Sequence, residues 1–345
     1  MITDRKWKIL MIGLGSIGQR HVRNLRRVLG DKCEISAYRV RRLQQTFSDT
    51  MQIRDGVDLE EEYHIKVYTN LDEALKEAEP DIVFVTNITR RHMECALAAA
   101  EAGCNIFLEK PVSDSMDGVD RLMQLKEEKN IKVFMGYQNR YHVCVDKLRE
   151  YLKESAVGQL ISVEASFCER LTTMHTYEDY STTYMARKEM GGGPVLNLQI
   201  HDIDLLQWIF GMPKEGSVQA ILGRHSNLKI DVEDHAVISY MTEYQGNDLT
   251  VTTRSDFLQY PPVHRFVIVG EKGRIELDFN KAEILWIQGS GEVVKNTYPE
   301  FNRNDMFIRE LKSFLESIEN ETPEEIPLEE GVKGLQIALK AISQR

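Results

Sequence analysis

The residues that could do chemistry fall in three stretches. Lys110 stands between Glu109 and Pro111, at the end of the apolar run Asn105-Ile106-Phe107-Leu108. Pro111 cannot donate to a strand ladder and disfavours helical geometry at Lys110, so the run reads as a strand with a lysine at its carboxyl end. In an open parallel sheet that edge is where ligands bind, although a Lys-Pro pair taken alone is more often a surface loop. The second stretch, Gly13-Leu14-Gly15-Ser16-Ile17-Gly18, has the G-x-G-x-x-G spacing. Its glycines allow a tight turn, a close backbone approach to a pyrophosphate, and close packing of helix on strand. The third, Gly191-Gly192-Gly193-Pro194, opens a helix in which Asn197, His201 and Asp204 are four and three residues apart and share one face. The apolar residues of that helix surround its axis, so it is expected to be buried, and its polar groups need partners or a cavity. A lone buried histidine is usually a satisfied core residue. Beside a glycine run and in line with an amide, it becomes a candidate for facing a ligand.

The elements around these stretches must position them. Apolar residues 8–12 precede the glycine turn and a helix-like segment over 19–29 follows it, so phosphates would lie against a helix amino terminus. A second strand over 34–39 ends in Tyr38 and Arg39, where an NAD-binding domain usually has an acid for the ribose hydroxyls. With Arg41 and Arg42 following, a guanidinium at Arg39 suits a 2′-phosphate, which favours NADP while leaving NAD open. The acidic segment 55–62 reads as a solvated loop or irregular helix. A strand over 81–86 places Thr86 and Asn87 at its end, where ribose or nicotinamide contacts fall. Helices near 89–102 and 115–129 and a strand over 132–137 continue the alternation, which implies right-handed βαβ units and a doubly wound parallel sheet.

After Tyr137 the pattern changes. A helix over 143–155 is followed by strand-like runs at 160–168, 218–222, 235–241, 249–253, 266–269, 274–277 and 283–287, with turns such as Gly246-Asn247-Asp248. Helices near 303–319 and 328–342 close the chain. The expected fold class is α/β, an amino-terminal Rossmann domain with a doubly wound parallel sheet over 1–137 plus an α+β domain over 138–345 with a large, mainly antiparallel sheet.

Composition bounds the partners. The 345 residues suffice for two domains, and 43 basic against 54 acidic residues give a net charge of -11. That charge argues against nucleic-acid binding and against adhesion to an anionic membrane. The five cysteines contain no C-x-x-C pair, so neither a zinc site nor a disulfide framework is indicated and a reducing, cytoplasmic setting fits. No apolar run approaches membrane-spanning length.

Taken in order, the glycine motif, Thr86-Asn87 with His92, Glu109-Lys110-Pro111, and Gly191-Gly192-Gly193 followed by Asn197 and His201 resemble the glucose-fructose oxidoreductase / inositol dehydrogenase (Gfo/Idh/MocA) family over nearly the whole chain. The resemblance implies a pyridine nucleotide, NADP or NAD, and a sugar, inositol or nucleotide-sugar substrate. It implies catalytic roles for Lys110 and His201, and substrate contacts from Asn197, Tyr184, Arg140 and Asp204. Cofactor contacts are expected from Gly13, Gly15, Ser16, Ile17, Gly18, Tyr38, Arg39, Thr86, Asn87, His92, Glu109 and Lys110, with no metal and a homodimeric or homotetrameric assembly. Asn197 departs from the pattern, since many members have aspartate there and an amide cannot take a proton. The segment 177–188, which includes Tyr184, resembles a branch found with surface-polysaccharide and amino-sugar biosynthesis. The expected activity is hydride transfer to or from a hydroxyl-bearing carbon. The competing readings are a non-catalytic nucleotide-dependent sensor, against which the intact Lys110 and His201 argue, and an NAD-dependent glycosidase.

Overall fold

The computed structural model describes residues 5–40, 46–48, 53–54 and 58–345; Arg41, Arg42 and residues 55–57 of the acidic segment lie outside them. The chain divides into two compact units, residues 1–137 with 307–332 and residues 138–306 with 333–345.

In the first unit, β1 (Trp7–Ile12), α1 (Ser16–Leu29), β2 (Cys33–Tyr38), β3 (Thr46–Phe47), β4 (Ile53–Arg54), α2 (Leu59–Tyr63), β5 (Lys66–Tyr68) and α3 (Leu71–Ala78) come first. They are followed by β6 (Ile82–Val85), α4 (His92–Glu101), β7 (Asn105–Glu109), α5 (Val119–Lys129) and β8 (Val133–Gly136). Six of the strands form a parallel sheet in the order β5-β2-β1-β6-β7-β8, and β3 and β4 pair separately. The order reverses between β1 and β6, which is the switch point where ligands of open α/β sheets bind. Strands covered on both faces read as continuous apolar runs, and Ile82, Val83, Phe84 and Val85 are all fully buried. Helix α5 starts at Val119 rather than at 115, because Gly118 at φ 82 turns the chain just before it.

The second unit begins with α6 (Val143–Lys153), β9 (Leu160–Cys168), α7 (Leu171–Met174) and α8 (Ile200–Phe210). Next come β10 (Gln219–Gly223), β11 (His235–Tyr244), β12 (Asn247–Asp256), β13 (Val263–Gly270), β14 (Gly273–Asp278), β15 (Glu283–Gln288) and β16 (Val293–Thr297). Their eight-stranded sheet has the order β10-β11-β12-β9-β13-β14-β15-β16, antiparallel except for the β12–β9 pair. Along β11, buried Ala236, Ile238, Tyr240 and Thr242 alternate with half-buried residues, the signature of a sheet packed on one face. Helix α8 packs on β9, β11 and β12. The short strand β16 was not foreseen.

The last two helices are α9 (Arg303–Glu319) and α10 (Leu328–Ile342). Residues 307–332, expected with the second domain, belong to the first unit. Phe314 of α9 packs edge-on at 5.6 Å from Phe107 and lies 5.5 Å from Phe134, joining the Phe84–Phe107–Phe134 stack of the parallel sheet. Sequence order alone could not show that the late helix supplies apolar cover to the early sheet. Among the described residues, no helix is long and apolar enough to cross a membrane.

Candidate functional site

In the first unit, the pairing register aligns Ile12 with Val85 and Val85 with Leu108, so Gly13 and Thr86 leave the sheet along one carboxyl edge, level with Glu109, the last residue of β7. The glycine turn is tightly fixed there. Gly13 sits at φ 96, and a Cβ on it would stand 3.0 Å from backbone atoms of Asn87. A Cβ on Gly18 would lie 2.4 Å from the Gly13 carbonyl oxygen and 2.9 Å from Thr86 Oγ1. Thr86 secures the turn, its hydroxyl donating to the carbonyls of Gly13 at 2.8 Å and Ile12 at 3.1 Å.

Gly15 is different. It is exposed, no described residue beyond its chain neighbours comes within 4 Å of where its Cβ would be, and it forms the amino cap of α1. The first turn of α1 has neither a side-chain cap nor an acidic residue, so its N–H groups and dipole are left to an anion beside Ser16 and Ile17. The cradle therefore fits the pyrophosphate of a dinucleotide.

Other expected cofactor residues are turned inward. Tyr38 is buried at the end of β2, and Arg39, 4% exposed, lies 3.6 Å from Glu60 of α2. Glu109 is buried with Oε1 2.8 Å from His21 Nε2. His92 has Nδ1 2.8 Å from the carbonyl oxygen of Pro111 and Nε2 3.1 Å from that of Asn87. Asn87 donates from Nδ2 to Cys95 Sγ, and its Oδ1 is buried with no partner among the described residues. Lys110 follows β7 directly and is half-buried.

In the second unit, the helix bearing His201 opens with a π-turn over Val195–Gln199 before α8. Such turns are uncommon and recur at functional sites. The step from Asn197 to His201 crosses this wider turn, so the 3.6-residue period behind their expected shared face does not run through it. Asn197 is buried and donates from Nδ2 to the Gly193 carbonyl at 2.8 Å. His201 is buried, with its ring 6.0 Å from Phe167. Next to it, Asp202 has Oδ1 2.9 Å from His264 Nε2, and the His264 ring is stacked between Phe167 at 4.1 Å and Phe279 at 4.0 Å. Burial pushes the Asp202 carboxyl up and His264 opposes that. Gly193, at φ 100, leaves room for Glu233, whose Oε1 would lie 2.4 Å from a Cβ there. Arg140 and Asp204, expected at the substrate, hold each other in a buried bidentate pair. Tyr184 is half-buried against the cluster of Leu171, Met185, Leu198 and Phe257.

Comparison with known proteins decides the family. Residues 7–137 match the model of the oxidoreductase family with NAD-binding Rossmann fold, and residues 145–276 match the GFO/IDH/MocA C-terminal domain. The chain belongs to the GFO/IDH/MocA oxidoreductase family. It is similar to the myo-inositol 2-dehydrogenase of Thermotoga maritima, at 26% identity over 97% of this chain and 95% of the relative. Among solved structures, levoglucosan dehydrogenase in complex with NADH and levoglucosan superposes with a TM-score of 0.79 at 16% identity, covering 97% of this chain and 96% of that one. The WlbA dehydrogenase from Bordetella pertussis, in complex with NADH and UDP-GlcNAcA, superposes with a TM-score of 0.77 at 18% identity, covering 99% and 96%.

Sequence reasoning passed over His21, Glu60 and His264. His21 carried a usable signal, since it lies on the same helix as the glycine turn, three residues past the last glycine. Glu60 was hidden in an acidic run that read as solvated.

Proposed function

We propose that the protein is a pyridine-nucleotide-dependent dehydrogenase or reductase acting on a hydroxyl-bearing carbon of a sugar, an inositol or a nucleotide-linked sugar. The observation that carries this reading is the uncapped, acid-free amino terminus of α1 above an open Gly15, on the same sheet edge from which Lys110 emerges. Bound there, the nicotinamide supplies the hydride acceptor or donor. The chain's own residues hold the pyrophosphate on the α1 amides, orient the carbinol and manage its proton. Lys110 Nζ donates a hydrogen bond to the reacting oxygen and stabilises developing alkoxide character. His201 accepts the carbinol proton in oxidation and returns it in reduction. Asn197 orients substrate and takes no proton. The dehydrogenase names of the relative and of the two solved structures support the substrate class.

For the cofactor, Arg39 still offers a guanidinium to a 2′-phosphate, but Glu60 beside it competes for that guanidinium and repels a phosphate, which moves the balance towards NAD. The cytoplasm and a homo-oligomer built on the open sheet belong to the same reading.

A panel of inositols, free sugars and nucleotide sugars, assayed with NAD and NADP at 340 nm, tests the assignment. A substrate-dependent absorbance change that is lost in Lys110→Met, with cofactor still bound, is the expected result. Nucleotide binding without turnover on any member of the panel points to a sensor, and glycoside cleavage without net absorbance change points to a glycosidase.

A further inference from the structure

The residues on either side of Lys110 are each held by a buried histidine. On the amino side, His21 of α1 reaches Glu109, Nε2 to Oε1 2.8 Å, with side chains 0% and 8% exposed. Its ring lies among Phe84, Phe107 and Phe307, with centroids at 5.3, 4.8 and 6.2 Å, and Nδ1 is buried with no hydrogen-bond partner among the described residues. An unpartnered ring nitrogen in such surroundings is better tolerated as a lone pair than as an N–H, so the hydrogen sits on Nε2 and is donated to Glu109. On the carboxyl side, His92 of α4 contacts two carbonyl oxygens, Pro111 through Nδ1 at 2.8 Å and Asn87 through Nε2 at 3.1 Å. A neutral imidazole has one N–H for these two acceptors. Burial is the largest influence on His92 and pushes its pKa down, opposed by the two carbonyl contacts and then by Glu109, and reinforced by Lys110. The neutral ring therefore places its N–H on the closer oxygen, that of Pro111.

We propose that His21 and His92 are positioning residues for Lys110, His21 through the carboxylate of Glu109 and His92 through the carbonyl of Pro111, so that Nζ issues from a segment pinned at both ends. The arrangement joins Lys110 to the two elements that shape the cofactor cradle. His21 belongs to the helix whose amino terminus faces the pyrophosphate, and His92 touches the loop after β6 that carries Asn87. Apolar side chains would pack more simply at both sites, and buried polar pairs of this kind fix geometry more than they add stability. A displacement of about 1 Å at a reacting group costs on the order of a hundredfold in rate.

The inference rests on the reading of Lys110 as the residue that contacts the reacting oxygen, and the test separates the two. Lys110→Met, His21→Leu, His92→Phe, and each histidine variant combined with Lys110→Met are compared in kcat, KM and NADH binding, with NADH fluorescence reporting that each protein is folded. His21→Gln and His92→Asn keep an amide donor at Nε2 and Nδ1 respectively and serve as the conservative variants. Where His21→Leu does not fold, His21→Asn, too short to reach Glu109, replaces it. Expected are losses of about tenfold to a hundredfold in kcat for the two apolar variants, with NADH affinity and KM little changed. The conservative variants recover most of the rate, and the histidine substitutions have no further effect once Lys110 is methionine. Turnover retained by Lys110→Met would overturn the reading of Lys110 and the proposal with it. Turnover lost there but kept in His21→Leu and His92→Phe, or losses that multiply in the double variants, would overturn the positioning role alone.

Discussion

Arg140 grips Asp204 with two hydrogen bonds, Nε to Oδ2 at 2.9 Å and Nη2 to Oδ1 at 2.6 Å, and the two side chains are 3% and 1% exposed. The guanidinium also lies 4.7 Å from the centre of the Trp208 ring, on the same helix as Asp204. A bidentate pair this deeply buried ties the segment after Tyr137 to α8 and so steadies the helix that carries His201. Removing one partner strands a buried charge. Arg140→Met is therefore expected to cost about 3–5 kcal/mol in a denaturant melt, while Arg140→Met combined with Asp204→Leu recovers most of it. If the double variant is stable but its KM for substrate rises strongly, the pair contacts substrate as well.

The glycine turn gives a pair of substitutions that differ in stability while both weaken nucleotide binding. Alanine at Gly15 meets no described residue beyond its chain neighbours within 4 Å, and the backbone there, at φ -69 and ψ -172, suits any residue, so the fold should be unaffected. Nucleotide affinity should fall, because the methyl stands where a pyrophosphate approaches the α1 amides. Alanine at Gly18 instead drives its Cβ to 2.4 Å from the Gly13 carbonyl oxygen, so stability and nucleotide binding should both suffer. Melting curves and NADH titrations of the two variants separate the effects, and unchanged NADH affinity in Gly15→Ala would remove the pyrophosphate from this turn.

The same turn shows what was legible in the sequence. Its strand, glycine spacing and helix are local features, and so is the proline that ends β7 after Lys110, which is why both stretches could be placed from sequence. Partnerships across the fold were not. Arg140 and Asp204 are 64 residues apart and His21 and Glu109 88 apart, and nothing in either segment names the other. Arg140, Asp204 and Glu109 read as ligand contacts because an unpaired polar residue near a motif invites that reading, and His21 drew no reading at all. The π-turn before α8 was also invisible, since Pro194 and the apolar residues that follow fit an ordinary helix equally well. The return of residues 307–332 to the first unit is a packing outcome of Phe314 on the stacked phenylalanines.

Glu60 makes cofactor preference testable from both sides of one ion pair. Its carboxylate is partly exposed, with 37% of the side chain accessible, against 4% for Arg39. Glu60→Gln should improve NADPH binding relative to NADH by threefold to tenfold, corresponding to about 1 kcal/mol for a pair open to solvent on one side. Arg39→Ala should weaken NADPH more than NADH. Equal effects on both cofactors in both variants would place the 2′ position away from this pair.

His142 predicts the acid limb of the stability curve. It caps α6, its Nδ1 accepting the amide of Cys144 at 3.1 Å, which requires a lone pair on that nitrogen. The ring packs against Phe279 and Phe301, and burial pushes its pKa down to about 4, with His264 contributing. In the unfolded chain the same group titrates near 6.5. Between these values the unfolded state binds more protons, so stability is complete above about pH 6.5 and falls as the pH drops towards 4. The shift corresponds to about 3 kcal/mol, to which buried His92, also pushed down, adds with the same sign. His142→Asn, which retains a capping oxygen but no titrating group, should flatten the decline between pH 6.5 and 4 in denaturant melts. A variant whose stability falls as steeply as the parent's over that range would show that the decline comes from other groups.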